Sequence, residues 1–315
     1  MLTSLINPDL SGKNLLLLIL LFISIGLFAD GVQPTGAGTS GDPYQIATLD
    51  NLLWVSTNDT SWDSYFLQTA DIDAADTQNW NSGAGFSPIG NNSTRFSGEY
   101  DGSGYIISNL HINHPSTNYI GFFGYVYTGE VTNLGIENAD IIGIDYVGGL
   151  VGRNTSSSSV NNSYSTGSVN GHDHVGGLMG RNSSSSSVNN SYSKGSVYEY
   201  NNIGGLVGYN NSSISNCYST GSVSGSNYVG GLVGIDTFTS SVNNSFWDTE
   251  TSNQDTSEGG TGKTTAEMKT LSTFTDAGWD FIDETINGTD DDWEILVQYN
   301  SGYPFLSWET DLVVY

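Results

Sequence analysis

A short apolar pattern recurs four times in the middle of the chain. Each copy has a β-branched residue, two glycines, a leucine, a further apolar residue and a third glycine, and successive copies begin 28, 28 and 26 residues apart. The copies occupy residues 147–152, 175–180, 203–208 and 229–234. A fixed period in this range indicates a repeat architecture, in which stacked units offer a long surface rather than one pocket.

A second repeated segment follows each apolar copy. Its full copies span residues 160–169, 188–197 and 214–223, and a fourth copy stops at residue 248. The apolar positions of both segments are β-branched or leucine, in short runs between Gly, Ser and Asn, which is typical of strands and turns. No helical period of 3.6 residues is visible in this region. We therefore predict an all-β chain that folds as a parallel β-solenoid with one coil per repeat.

Alignment of the copies also predicts the corners of each coil. Weaker copies precede the regular ones, and together they place six asparagines in one column: Asn109, Asn133, Asn162, Asn190, Asn216 and Asn244. We expect each side-chain amide of this column to bond the next, at a corner where asparagine tolerates left-handed backbone. At the apolar copies, we expect the two glycines to supply the dihedral angles that turn Val147 and Leu150 inward.

Both ends of such a solenoid need covers. A buried apolar side chain contributes roughly 1.5–3 kcal/mol and backbone ordering costs about 1–2 kcal/mol per residue, so a lone coil is unstable. We predict an N-terminal cap and first coil at residues 30–95, with a helix after Thr48, repeats at 96–250 and a C-terminal cap at 251–315. A capping box at Thr264 and Glu267 predicts a short helix there. A bulky apolar set is expected to cover the last coil: Trp279, Phe281, Trp293, Ile295, Tyr303, Phe305 and Trp308.

Residues 1–29 contain an apolar run at 15–28 that follows Lys13. The run is shorter than the roughly 20 residues that span a bilayer, so we predict a signal peptide, with an uncleaved N-terminal anchor as the alternative. The chain is therefore expected to be secreted or displayed at the cell surface. It would contact a membrane only through this segment, if the segment is not cleaved.

The charge balance is strongly acidic. There are 33 Asp and Glu residues against 7 Lys and Arg, which gives a formal net charge of −26. Such a surface repels phosphate backbones, so nucleic acid is excluded as a partner. The single cysteine, Cys217, excludes an intrachain disulfide and a Cys-based metal site. The sequence leaves the oligomeric state open.

The apolar copies resemble the GLUG motif of bacterial and archaeal surface proteins. Residues 41–46 are similar to the opening of that family, residues 96–110 to its first regular coil, and residues 260–268, 278–281 and 303–308 to its ending. The resemblance implies an exported, right-handed β-solenoid of the kind found in adhesins or in non-catalytic stalks of larger surface enzymes. It implies no catalytic residues, and function must be argued from the sites.

Few residues carry candidate metal chemistry. His172, Asp173 and His174 form a trio that could bind a metal, although solvated loop histidines are the simpler interpretation. No cofactor is expected, and calcium is the one ion considered. Its weak candidate ligands do not have EF-hand spacing. They are Asp71, Asp73 and Asp76.

A carbohydrate-active enzyme, either a lyase or a glycosidase, is the main catalytic alternative. A glycosidase needs paired carboxylates in a groove, and a lyase acting on polyuronate needs basic residues. The recurring coil positions carry almost no carboxylates. Arg153 and Arg181 hold equivalent positions in adjacent coils, but Tyr209 and Ile235 follow them in the next two. No catalytic residue is therefore predicted.

Ligand binding is assigned to positions that vary between coils. A serine-rich segment after each apolar copy, such as 153–159, is predicted to be a surface loop, whereas the segments 170–174, 198–202 and 224–228 keep their length while their content changes. Their aromatic and imidazole groups could dock a sugar ring or another protein. The candidate ligand-binding residues are Tyr119, Tyr146, His172, Asp173, His174, Tyr198, Tyr200 and Tyr228.

The prediction is thus a non-catalytic adhesion or interaction protein for an extracellular glycan or protein. Besides the interaction protein and the enzyme, two alternatives remain. The rings before each apolar copy form a predicted stack, and that stack could serve only to stabilise the coil. The whole chain could equally be a passive spacer, or a fragment of a larger surface protein.

Overall fold

The computed structural model describes residues 31–237 and 239–310, so the predicted signal peptide or anchor at 1–29 lies outside the described residues. An irregular N-terminal section comes first. Helix α1 begins after Thr48 as predicted, because Thr48 and Asn51 cap each other's backbone amides. The elements of this section are β1 (Tyr44–Ile46), α1 (Leu49–Thr57), β2 (Tyr65–Gln68) and β3 (Ile72–Asp73), with 3-10 turns at Asp59–Ser61 and Ala75–Gly83.

The repeats form a parallel β-solenoid, which confirms the predicted fold. Its strands, in chain order, are β4 (Glu99–Asp101), β5 (Ile106–Ser108), β6 (His111–Asn113), β7 (Phe123–Tyr127), β8 (Glu130–Thr132), β9 (Gly135–Ile142), β10 (Asp145–Gly148), β11 (Val151–Thr155), β12 (Ser159–Asn161), β13 (Tyr164–Gly176), β14 (Met179–Asn189), β15 (Tyr192–Ser193), β16 (Ser196–Gly204), β17 (Val207–Ser215), β18 (Tyr218–Ser219), β19 (Val223–Ser224), β20 (Asn227–Gly230), β21 (Val233–Asp236), β22 (Ser241–Asn243) and β23 (Phe246–Asp248).

The C-terminal section is mostly irregular. Its elements are α2 (Thr249–Ser252), β24 (Thr261–Lys263), α3 (Leu271–Thr275), β25 (Trp293–Glu294) and β26 (Phe305–Leu306), with 3-10 turns at Glu267–Lys269, Asn300–Gly302 and Ser307–Glu309. The predicted capping box forms, since the Thr264 N–H donates to Glu267 Oε2 at 2.8 Å and the Glu267 N–H to Thr264 Oγ1 at 3.3 Å. The helix behind it is split in two, because Thr270 has extended backbone. None of the helices between residues 31 and 310 combines the length and apolar character needed to cross a membrane.

In-register pairing turns each position of the repeat into a column. Val147 pairs with Val175 and Val175 with Ile203, so the same side of every strand faces the interior. Three of the resulting inward columns are fully buried or nearly so, and together they make one continuous core along the solenoid. They are Val147, Val175 and Ile203; Leu150, Leu178, Leu206 and Leu232; and Val160, Val188 and Ile214.

The corner at each apolar copy differs from the prediction in one respect. Val147 and Leu150 are buried as expected, but the left-handed residue is the one before the copy, where Tyr146 has φ 59°. Gly148 and Gly149 do not have positive φ. Glycine is required there because a side chain has no room: a Cβ on Gly149 would lie 2.5 Å from the carbonyl oxygen of Gly177 in the next coil.

The asparagine column has the predicted backbone but a different side-chain arrangement. All six residues are left-handed, with φ between 44° and 59°. The amides of Asn109, Asn133 and Asn190, however, donate to carboxylates at 2.8–3.0 Å rather than to one another. Carboxylates accept stronger, charge-assisted bonds than amide oxygens do. The carboxylate partners are Asp73, Asp101 and Asp292 respectively.

A true amide ladder lies at a different column. Asn154 donates to Asn182 at 3.2 Å, Asn182 to Asn210 at 3.0 Å, and Asn210 to Asp236 at 2.8 Å. The three asparagines are fully buried. They belong to the serine-rich segments predicted to be surface loops. That prediction is wrong at these positions, because the interior amides hold the segments against the coil.

Residues 264–310, which we call the C-terminal strap, run along the flank of the solenoid. Four successive coils each direct one ring outwards there, in the column Tyr164, Tyr192, Tyr218 and Phe246, and the strap packs its aromatic residues on this column. Trp279 Nε1 donates to the Asn244 carbonyl at 2.7 Å and Trp308 Nε1 to the Asn162 carbonyl at 3.2 Å. The predicted set therefore contacts the last coil, at Asn244 and Phe246, but it also covers the three coils before it, because an outward aromatic column needs its own cover.

Candidate functional site

The structure divides the candidate ligand-binding residues into two groups. In the first group the rings stack on one another, with centroids 5.0 Å apart for Tyr119 and Tyr146 and 4.9 Å apart for Tyr146 and His174. Tyr125 stacks on Tyr119 at 5.2 Å, and Tyr209 lies against His174 at 5.1 Å. The ring faces are thus occupied by other rings. This arrangement favours a stabilising role for the stack over ligand binding.

The second group is exposed. Tyr198, Tyr200 and Tyr228 have 41%, 50% and 64% of their surface accessible, and we call them the exposed tyrosine patch. The His172 ring lies on Tyr200 with centroids 5.5 Å apart. On the other side of Tyr200 the next coil supplies Ser226, whose N–H donates to the Tyr200 carbonyl at 3.0 Å.

Small or polar residues also flank Tyr198. Its register neighbours are Asn170 in the coil before and Ser224 in the coil after. Between residues 31 and 310, excluding residue 238, neither Tyr198 nor Tyr228 has a ring partner. The patch therefore presents aromatic faces to solvent, in contrast to the stack beside it.

The trio His172, Asp173 and His174 is not arranged as a metal site. His172 Nδ1 lies 3.5 Å from Asp145 Oδ1, whereas His174 Nδ1 lies 3.1 Å from Asp173 Oδ2, so each imidazole faces a different carboxylate. Burial lowers the pKa of His174, and the nearby Arg181 acts in the same direction, against the attraction of Asp173. His174 is thus favoured in its neutral form.

The weak calcium candidates are engaged locally. Asp71 Oδ1 accepts a hydrogen bond from the Ile106 N–H at 2.9 Å. Asp73 Oδ1 accepts from Asn109 and from the Ala75 N–H, both at 3.0 Å, and these bonds lower the pKa of Asp73. Asp76 is exposed. Among the described residues, no group of three or more His, Cys, Asp and Glu side chains is placed to hold a metal ion.

A pair of arginines stands out next to the stack, although the sequence gave it no role beyond its repeated position. Arg153 lies over the Tyr125 ring at 4.9 Å from the centroid, and Arg181 over Tyr209 at 4.6 Å. Both guanidinium carbons lie about 6 Å from the Tyr146 ring, at 6.0 Å and 5.9 Å. The only sequence signal for the pair was the recurrence of arginine at this one position in adjacent coils.

A second feature missed by the sequence is a cleft of about 370 Å³ between the solenoid flank and the strap, which we call the flank cleft. Glu137 and Glu309 both line it, and they accept hydrogen bonds from the Tyr164 and Tyr192 hydroxyls at 2.7 and 2.8 Å. Burial raises the pKa of Glu309 to about 7. The other main lining residues are Asp71, Tyr105, Tyr299 and Trp308.

The repeats match a known motif. The sequence profile described as the GLUG motif matches residues 145–170 and 199–224. The chain carries the GLUG motif. The two matched GLUG repeats cover β10, β11, β12, β17, β18 and β19 and parts of β13 and β16, but not the N-terminal section or the strap.

Two relatives resemble part of this chain. Halomucin of Haloquadratum walsbyi is 39% identical over 142 residues, which is 42% of this chain and 2% of halomucin. A candidate Gly-rich membrane protein of Evansella cellulosilytica is 35% identical over 136 residues, which is 42% of this chain and 15% of that protein. The chain therefore spans only a small part of the length of either relative.

One solved structure has a similar fold. A candidate immunoglobulin A1 protease from Bacteroides ovatus superposes with a TM-score of 0.61, over 88% of this chain and 95% of that chain. The two sequences are 19% identical, so the likeness concerns the fold alone.

Proposed function

We propose that this GLUG-repeat chain is a non-catalytic interaction module of an exported surface protein, and that it binds an extracellular glycan or protein through the exposed tyrosine patch. The observation that carries the proposal is the exposure of Tyr198, Tyr200 and Tyr228, at 41%, 50% and 64%, in a solenoid whose other coil rings are mostly stacked or buried. Tyr198 and Tyr200 lie on β16 and Tyr228 on β20, which pairs with β16, and exposed aromatic groups on neighbouring strands are typical of interaction sites.

The chemistry of tyrosine suits both kinds of partner. A tyrosine has a broad apolar ring that can pack on the C–H face of a sugar or on an apolar side chain, and a hydroxyl that can bond a polar group. Few rotatable bonds are lost when it is fixed, so aromatic residues contribute strongly at interfaces. The parallel strands hold Tyr198 and Tyr200 two residues apart on one strand, so their spacing is set by the fold.

Support for a surface location comes from the comparisons. One relative is named halomucin and the other a Gly-rich membrane protein, and in each the matched region is a small part of a longer chain. We propose by analogy that this chain is secreted or displayed at the cell surface, and that it is one module among others. A passive spacer would share the repeats and lack a ligand.

The proposal is tested by screening the purified full chain, with and without calcium, on arrays of glycans and extracellular proteins. Saturable binding to a defined glycan or protein is expected. Binding to nothing on either array would contradict the interaction role and favour the spacer.

One observation favours a second candidate, a carbohydrate-active enzyme. The flank cleft holds two glutamates beside aromatic rings, and the pKa of Glu309 is raised to about 7, as in a general acid. This candidate is tested by incubating the chain with a panel of polysaccharides and measuring the release of reducing ends. Activity that disappears in Glu309→Gln and in Glu137→Gln would replace the non-catalytic proposal; no release from any substrate would leave it standing.

A further inference from the structure

Arg153 and Arg181 lie side by side in register on β11 and β14, in coils that stack about 4.8 Å apart. The chain has 33 acidic residues, yet the ion pairs among its described residues are three histidine–aspartate contacts. Neither arginine takes part in them. Among the described residues, two neighbouring positive charges thus lack a carboxylate partner, although the protein is rich in carboxylates.

The donors of these arginines are also unused. Nε of Arg153 and Nε of Arg181 are buried and have no hydrogen-bond partner in the described part of the chain. A buried donor without a partner costs roughly 1–3 kcal/mol, and two like charges in adjacent coils repel each other. An anion bound by the two guanidinium groups would offset their mutual repulsion.

Tyrosine rings hold the guanidinium groups in place. Arg153 lies on Tyr125 and Arg181 on Tyr209, at 4.9 and 4.6 Å from the ring centroids, and Tyr146 lies about 6 Å from both. Such stacking orients the planar fork without occupying its N–H donors. The side chains are therefore ordered before any ligand arrives, which lowers the cost of binding.

The fold itself does not require arginine at this column. In the next two coils Tyr209 and Ile235 occupy the same register position, and the ladder continues through them. Arg95 holds the same column one coil before Tyr125, since Phe96 pairs with Val126 and the Arg95 guanidinium lies 5.1 Å from the Tyr125 ring centroid. Tyr125 separates it from Arg153, whereas Arg153 and Arg181 are in adjacent coils and can approach one anion together. A purely stacking role would not explain why two like charges were placed next to each other.

We propose that Arg153 and Arg181 form a clamp for a single oxyanion, which is either the carboxylate or sulfate of an acidic sugar or the free ion. Each guanidinium can offer two parallel N–H donors to the oxygens of such a group. The net charge of −26 disfavours a dense polyanion, but at physiological salt its field is screened beyond about 8 Å, so one anionic group can reach the clamp. The clamp uses other side chains than the exposed tyrosine patch, so either assignment can fail without the other.

The test is an NMR titration of the full chain at constant sodium chloride, which follows the Nε–H signals of Arg153 and Arg181. The probes are sodium sulfate, sodium acetate, sodium glucuronate and, as the neutral counterpart, glucose. Saturable shifts are expected with the three anions and not with glucose. Tighter binding of glucuronate than of acetate would identify an acidic sugar as the source of the anion; equal binding would identify the free ion, and both results support the clamp.

Variants make the test specific. Arg153→Gln and Arg181→Gln are each expected to weaken glucuronate binding at least about tenfold, because a charge-assisted bond is lost. Lys269→Gln is the matched control, since its ammonium also lies over a tyrosine, Tyr303, at 4.7 Å, but on the strap. It should bind as the wild type does. If the glutamine variants fail to fold, Arg153→Lys and Arg181→Lys keep the charge and lose the fork, and they should still bind several-fold more weakly.

Three results would overturn the clamp. The first is the absence of saturable shifts with all three anions. The second is a response to glucose equal to that for glucuronate. The third is wild-type affinity in both the glutamine and the lysine variants.

Discussion

The Tyr192 hydroxyl donates a hydrogen bond to Glu309 Oε2 at 2.8 Å, and this bond ties the flank of the solenoid to the last turn of the C-terminal strap. The other Glu309 oxygen accepts from the Leu306 N–H at 2.6 Å. Glu309 is nevertheless mostly buried, and desolvation raises its pKa from 4.5 to about 7 in spite of these bonds. The strap is therefore fastened by a group that titrates near neutral pH.

Glu309 should make the stability of the strap depend on pH. The folded state holds the Glu309 proton more tightly than the unfolded chain does. The protonated carboxyl group therefore contributes fully to the free energy of unfolding below about pH 4.5, and this contribution is lost as the pH rises through about 7. Glu309→Gln removes that loss, so we expect the variant to exceed the wild type by roughly 2–3 kcal/mol at pH 8 and by little at pH 4.5. Urea unfolding followed by tryptophan fluorescence measures the difference. Asp276→Asn, an exposed change in the same strap, is the control, and an equal pH slope in wild type and Glu309→Gln would refute the assignment.

Trp308 should hold the far end of the strap. Its ring stacks on Tyr164 at 5.6 Å and its Nε1 donates to the Asn162 carbonyl at 3.2 Å. Trp308→Ala is expected to destabilise this contact by roughly 1–3 kcal/mol while the coils stay folded, since their core lies elsewhere. Limited proteolysis should then cut the strap faster with an unchanged far-UV spectrum. Leu271→Ala, at a side chain that is 43% exposed, should leave the cleavage rate as it is.

The buried amide ladder should contribute more to the free energy of unfolding than the exposed hydrogen bond between Asn227 and Asn201 does. Asn182 accepts from Asn154 and donates to Asn210 and to the Ser213 carbonyl, so Asn182→Ala removes three buried hydrogen bonds and leaves a cavity in the ladder. We expect a loss of roughly 2–4 kcal/mol in the free energy of unfolding. Asn227→Ala, which removes an exposed amide bond to Asn201, should cost less than about 0.5 kcal/mol. Similar losses at the two positions, measured by chemical denaturation, would argue against the ladder.

The asparagine column should be sensitive to backbone geometry. Asn216 has φ 52°, a left-handed conformation that costs alanine about 1–2 kcal/mol and glycine almost nothing. Asn216→Ala should therefore be less stable than Asn216→Gly by about 1 kcal/mol, in spite of the greater chain entropy that glycine loses on folding. Thermal unfolding of the pair provides the comparison. The opposite order would contradict a penalty for left-handed backbone at this corner.

The sequence predicted the solenoid because its columns repeat, and a repeat shows which positions share an environment. Val147 and Leu150 could be placed inside, and Asn109 and its equivalents at a left-handed corner, without any coordinates. The position of the second corner at Tyr146 was missed, since an aromatic residue is not expected to adopt positive φ. The burial of Asn154 was missed as well, because a serine-rich neighbourhood is read as a loop.

Long-range features were beyond the sequence for a different reason. The contact between Tyr192 and Glu309 joins residues 117 positions apart, and no periodic pattern relates the strap to the flank. The candidate site was predicted as one set of residues, but only packing separates the occupied rings of Tyr119 and Tyr146 from the free ones of Tyr198 and Tyr228. A ring's place in the repeat does not reveal which of its faces is covered.

The central claim, that the exposed tyrosine patch binds the ligand, is tested by replacing Tyr198, Tyr200 and Tyr228 together with serine. The variant and the wild type are titrated with whichever glycan or protein the arrays identify, beside Tyr65→Ser, a control that removes a tyrosine exposed to 37% on β2. Because the patch makes few contacts with the core, the fold should be unchanged. We expect the triple variant to lose at least about tenfold in affinity while the control binds as the wild type does. Wild-type affinity in the folded triple variant would contradict the assignment of binding to this patch.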